Sequence, residues 1–219
     1  MRKIVTVIVV LIMINLSFGQ TQNKTDIYKT LIAQLDTIHH EDQKCRIRIN
    51  ELLKKSRTES ENIELITLHE LMNEKDSINL VKVEKILNKY GWLGAGAIGE
   101  QGNKTLFHVI QHSDLETRLK YLPMMRDAVK KGDAKGKDFA LLEDRIAMEH
   151  GNRQIYGSQI KIDGDTFYVY PIIEPEKVNE RRAEVGLELI EDYLKNFGIN
   201  WDIEKHKEKT KELESQKEE

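Results

Sequence analysis

A single cysteine, Cys45, stands in 219 residues, so no internal disulfide can form and stability must come from packing. Cys45 falls among helical apolar positions and reads as a small buried hydrophobe rather than a nucleophile. Positive charge is also in short supply. Lys and Arg number 34 against 37 Asp and Glu, a net charge of −3, which lacks the electrostatic footprint of a nucleic-acid binder. No apolar run reaches the roughly 20 residues that cross a bilayer core. Internal repeats are absent, and low-complexity sequence does not occur before the C-terminal tail. The Gly91-Trp92-Leu93-Gly94-Ala95-Gly96 stretch follows no strand and has incomplete G-x-G-x-x-G spacing, so it is not a dinucleotide fingerprint. No Ser or Cys is placed as an activated nucleophile, which disfavours a covalent mechanism.

What is present at the N-terminus has the grammar of a secretory signal peptide. Arg2 and Lys3 precede an apolar run from Ile4 to Leu16, broken only by Thr6 and Asn15, and Ser17-Phe18-Gly19 supplies small residues before a cut at Gly19/Gln20. The expectation is removal of residues 1–19 and export to the periplasm or beyond, with no stable membrane span afterwards. Loss of Arg2 and Lys3 leaves 32 basic against 37 acidic residues, a mature charge of −5. The residue after the cut is Gln20 and not the cysteine that a lipoprotein anchor needs.

Periodicity then predicts a mainly α fold: a single helical domain over 20–203 with a small antiparallel β-hairpin at about 155–172, and a charged tail over 204–219 that frays or is disordered. Leu31, Leu35, Ile38, Cys45, Ile49 and Leu52 mark a helix from Thr25 to about Lys55. Leu65, Leu68, Met72, Leu80, Val83 and Leu87 mark another from about Glu61 to Tyr90. Further helices are expected over Asn103–Gln111, from a Ser113/Glu116 capping box to Gly132 with an interruption or restart at Pro123, and from an Asp138 cap to His150. Ile155–Ile162 and Thr166–Ile172 are rich in β-branched and aromatic residues and flank Asp163-Gly164-Asp165, a hairpin signal. Pro175 opens the last helix, which carries Val178, Arg182, Val185 and Leu189 on one stripe, and Trp201 folds back onto the core.

The chemistry lies where charge interrupts these apolar stripes. Asp42 and Asp76 fill core-facing positions of the first two helices, and a buried carboxylate requires a partner or a raised pKa. Arg46 is one turn beyond Asp42. Asp144 and Arg145 sit on a helix that is apolar over most of its circumference. Arginines matched to aspartates either fix helix register or grip a ligand's carboxylate or phosphate. His108 and His112 share a helix face, but the H-E-x-x-H pattern and a third ligand are missing, so no metal or other cofactor is expected. His112, with Asp114 or Asp42 to orient it, is the candidate acid/base. In Gln154-Ile155-Tyr156-Gly157-Ser158-Gln159 the amides and the phenol suit a neutral polar ligand, and Gly157 marks a bulge or a close backbone approach.

These residues resemble a bacterial family of domains of unknown function. The matching elements are Asp42, Gln43 and Arg46; Gly91 and Trp92; Gln111, His112 and Asp114; Asp144 and Arg145; Gly151, Gln154, Tyr156, Gly157 and Gln159; and Arg181, Arg182, Gly186 and Leu187. The resemblance covers roughly residues 42–193 and departs at Leu93, where proline would follow Gly-Trp and stiffen the turn. It implies fold and site location and supplies no mechanism. Two functions are expected. In one, a pocket built from Asp42, Gln43, Arg46, His112, Asp114, Asp144, Arg145, Gln154, Tyr156, Gln159 and Arg182 binds a small polar ligand, in a hydrolase-like version with His112 as acid/base. In the other, the ionic network is structural and the protein is a non-catalytic module that binds an unknown protein partner.

Overall fold

The computed structural model describes residues 2–216 except 55, 164 and 165, and side chains over 24–216 except 55 and 162–166. The side chains of the expected leader and the Gly164-Asp165 turn lie outside the described residues. The elements run α1 (Arg2–Leu53), α2 (Glu59–Tyr90), α3 (Ala95–His112), α4 (Leu115–Lys131), α5 (Gly136–Glu149), β1 (Ile160–Asp163), β2 (Thr166–Val169), a 3-10 turn (Pro175–Lys177), α6 (Val178–Glu184), α7 (Ile190–Lys195) and α8 (Ile203–Ser215). The fold is mainly α with one two-stranded antiparallel sheet. It divides into two compact units, Met1–Val83 with Leu93–Leu106 and Glu84–Trp92 with Phe107–Glu219. Among the described residues, no helix is long and apolar enough to cross a membrane.

In the first unit, Leu31, Leu35, Ile38, Cys45, Ile49 and Leu52 of α1 are all buried, so the threes-and-fours spacing is the core stripe. α2 starts two residues earlier than its apolar period predicts. The reason is a reciprocal cap: Thr58 N–H donates to Glu61 Oε2 and Glu61 N–H to Thr58 Oγ1, satisfying two orphan donors. α3 extends back to Ala95 across a break at Gly99 (φ 75°, ψ 163°). Asn103 Nδ2 donates to Leu93 O at 2.8 Å, so a side chain fixes the turn where proline is lacking.

In the second unit, Asp114 rather than Ser113 caps α4, its Oδ1 accepting Thr117 N–H at 2.7 Å, while the Ser113 hydroxyl turns back to Ile110 O. α4 runs on through Pro123 and ends at Gly132 in the left-handed conformation. The N-cap of α5 is Lys135, and Asp138 lies buried in the first turn.

The hairpin is shorter than the β-rich sequence predicts. Ile160 pairs with Val169 and Asp163 with Thr166, but 154–159 makes no ladder beyond a single parallel bridge between Gln154 and Ile172. Gly157 adopts φ +71°, and a Cβ there would lie 2.7 Å from Ile190 Cδ1 and 2.8 Å from Ile172 Cδ1. The close approach read from the sequence is therefore real, though it occurs in a loop and not in a bulged strand. Gly132 has a similar φ of +77° with nothing within 4 Å. Gly157→Ala is expected to cost about 2–4 kcal/mol, adding overpacking to left-handed strain, whereas Gly132→Ala should cost only the strain, about 1–2 kcal/mol. Equal falls in Tm for the two variants would refute the packing component.

The helix expected from Pro175 breaks into the 3-10 turn, α6 and α7, with Gly186 at φ +76° after α6. Val169, Ile172, Val178, Ile190 and Leu194 form its core, and Trp201 packs against them as expected. The segment expected to fray is instead α8. Asp202 caps it, His206 and Thr210 are buried, and Arg153 grips Glu214 through two 2.7 Å hydrogen bonds. Burial of two residues four apart on one face explains why so polar a segment forms a docked helix.

Candidate functional site

Asp144 of α5 is fully buried and faces the 154–159 loop. Its Oδ1 accepts N–H from Ile155 (2.7 Å) and Tyr156 (3.0 Å), and its Oδ2 accepts N–H from Ser158 (2.9 Å). Burial pushes the carboxyl above its ordinary range, and the three backbone donors pull against that rise. These bonds claim the N–H groups that a strand ladder would use, which is why the loop is not β. Gln154 completes the turn. Its Oε1 accepts Gln159 N–H at 2.8 Å, while its Nε2 donates to Gln159 O and Tyr170 O.

Two arginines hold the carbonyl side of the same loop. Arg181 Nε donates to Ile155 O at 2.9 Å, and its Nη2 donates to Ile173 O. Arg182, 1 % exposed, donates from Nη1 to Tyr156 O at 2.7 Å and from Nε to Glu188 O at 2.6 Å. A carboxylate thus organises the loop's N–H groups and guanidinium forks its C=O groups. The guanidinium of Arg182 also stacks over the Tyr193 ring at 5.1 Å, and the Tyr193 hydroxyl donates to Ser158 O. Burial lowers the Arg182 pKa, opposed by Tyr193, Glu188 and Asp144.

Beside Arg182 opens a cavity of about 310 Å³ in the second unit, lined also by Lys137, Leu141, Ser158, Gly186, Leu187, Glu188 and Tyr193. Nη2 of Arg182 has no hydrogen-bond partner among the described residues. Ser158 Oγ accepts from Gln159 Nε2 at 2.9 Å. Tyr156 is half-buried, and burial, followed by the Glu143 and Asp144 charges, raises its phenol to about 12, so it remains a protonated donor.

Asp42, Gln43 and Arg46 lie together in the first unit. Arg46 Nη2 meets both Asp76 oxygens at 2.6 Å and Asp42 at 3.5 Å, and Gln43 Nε2 donates to Asp42 at 2.6 Å. Both carboxylates on the apolar stripes therefore share one arginine. Asp144, Gln154, Tyr156, Gln159 and Arg182 come together in the second unit. Arg145, next to Asp144 in sequence, points elsewhere and lies 3.6 Å from Glu149. His112 stacks on His108 with ring centroids 5.9 Å apart, and Asp114 is held by its capping bond, with its pKa lowered first of all by that Thr117 backbone donor. Lys137 and Tyr193 were missed by sequence reasoning, and Ser158 entered only as part of the 154–159 motif. Of the two missed, only Tyr193 carried a signal, as an aromatic one turn beyond Leu189.

The chain matches a family described as a family of unknown function, DUF6624, over residues 22–204. No curated protein and no solved structure matches it.

Proposed function

The chain therefore belongs to a family with no assigned activity, and we propose that it is an exported binding protein whose second unit receives a small carboxylate in the cavity beside Arg182. Export rests on the signal-peptide grammar of residues 1–19. The binding reading is carried by one observation: a buried guanidinium lines a ligand-sized cavity with one nitrogen uncommitted. A carboxylate accepts hydrogen bonds only, which matches a guanidinium edge. Leu141 and Leu187 would take a short hydrocarbon body, and Lys137 adds a second positive charge at the wall, which outweighs the single carboxylate of Glu188 there. The volume lies at the lower end of the ligand-pocket range of roughly 300–1,000 Å³, which favours a ligand of few heavy atoms. Ser158 Oγ is engaged by Gln159, so the wall offers no activated nucleophile, and the reading requires no acid/base step at His112.

Calorimetric titration with straight-chain carboxylates from propionate to hexanoate tests this. Saturable binding is expected, weakened about tenfold, or about 1.4 kcal/mol, by Lys137→Ala and abolished by Leu187→Trp, which fills the cavity and leaves the loop's hydrogen bonds intact. The interaction-module alternative shares the structural role of Asp144, Gln154 and Arg182 but has no saturable carboxylate. Binding that survives Leu187→Trp unchanged would remove the cavity from the account.

A further inference from the structure

Elsewhere in the second unit, two guanidinium groups share one carboxylate. Arg118 of α4, 4 % exposed, donates from Nη2 to Glu149 and from Nη1 to Gln111 O at 3.4 Å. Arg145 of α5 lies 3.6 Å from the same Glu149, and its side chain is 37 % exposed. Arg118 Nε, Arg145 Nε and Gln111 Oε1 are buried atoms without a hydrogen-bond partner. Arg145 Nε is the atom that faces Glu149 Oε1 at 3.6 Å, and since buried polar groups are normally satisfied, the orphaned Arg118 Nε and Gln111 Oε1 beside it mark a missing partner. Glu149 is the one carboxylate in contact with both guanidinium groups, and Asp114, whose charge also reaches Arg118, spends an oxygen on the α4 cap. Burial pulls the Arg118 pKa down, the Arg145 charge adds to that, and Glu149 opposes both.

We propose that Arg118 and Arg145 form a second anion site, distinct from the Arg182 cavity, that takes inorganic phosphate or the phosphate group of a small monoester. The anion accepts from the guanidinium N–H groups that Glu149 leaves without a hydrogen bond. Arg145 is the open side of the site and Arg118 its buried side. A protonated phosphate oxygen also donates, which a bare amide oxygen such as Gln111 Oε1 can accept. The inference stands independently of carboxylate binding.

The test is titration of the full chain with inorganic phosphate at constant ionic strength, followed by calorimetry. Wild-type protein should bind saturably, and Arg145→Ala should weaken binding at least tenfold with Tm nearly unchanged. Glu149→Gln should tighten binding several-fold, because it removes the carboxylate that competes for both guanidinium groups. A purely structural ion pair has no such effect. Leu187→Trp should leave phosphate binding unchanged. The proposal is overturned by an absence of saturable phosphate binding, by indifference to Arg145→Ala, by weaker binding in Glu149→Gln, or by loss of binding in Leu187→Trp, which would place the anion in the Arg182 cavity.

Discussion

Asp144→Ala is expected to cost about 3–5 kcal/mol, read as a lower urea midpoint at unchanged m-value. The substitution strands the buried N–H groups of Ile155, Tyr156 and Ser158 without their acceptor, and an unsatisfied buried donor costs about 1–3 kcal/mol. Asp144→Asn retains the shape and one acceptor oxygen, but its amide NH2 then faces a backbone donor. It should recover less than half of the loss. The loss should be accompanied by faster hydrogen exchange at those three amides. A cost under about 1 kcal/mol for Asp144→Ala, the range of ordinary surface changes, would mean that the loop does not depend on this carboxylate.

The second large effect is a pH dependence located at His206. Its imidazole is buried, its Nε2 accepts Ile172 N–H at 3.2 Å, and Trp201 packs on the ring at 5.0 Å. Burial first, then the nearby Arg153 charge, lowers its pKa from 6.5 to about 4. The neutral ring is the form the fold accepts, so an unfolded chain takes up a proton at a higher pH than the folded one. Stability from this group is complete above pH 6.5, declines as pH falls from 6.5 towards 4, and changes no further below that. The total is about 3 kcal/mol, at 1.36 kcal/mol per unit. His206→Gln keeps an acceptor for Ile172 N–H and does not titrate. The difference in unfolding free energy between wild type and variant, measured at pH 7.5 and again near pH 4, isolates the group from the carboxylates. Parallel curves would show that His206 is not buried neutral.

Local chemistry was legible where one segment decided its own structure. The α1 stripe, the Gly132 stop and the hairpin's position follow from spacing and turn residues. Arg182 was readable as core-facing because it interrupts Val178, Val185 and Leu189. Two positions misled because their partners are distant. The 154–159 loop has strand composition, but Asp144, ten or more residues upstream, takes its N–H groups. Residues 203–215 look too polar to pack, yet His206 and Thr210 alone form the buried face. Arg118 was invisible for a related reason. The sequence offers Leu119 as the apolar choice on α4, whereas the helix exposes Leu119 and buries the arginine. The matched Asp, Gln and Arg residues suggested direct ligand contacts; in the fold, Asp144, Gln154 and Arg181 hold backbone, and only Arg182 both holds backbone and reaches a cavity.

Carboxylate titration of isotopically labelled protein, followed at arginine Nε–H and backbone amide resonances, addresses the Arg182 cavity most directly. The expected result is saturable movement of Arg182 Nε–H and of the Gly186 and Leu187 amides, with Arg118 and Arg145 Nε–H unmoved. Flat resonances at Arg182, Gly186 and Leu187 through millimolar carboxylate, or movement confined to Arg118 and Arg145, would contradict it.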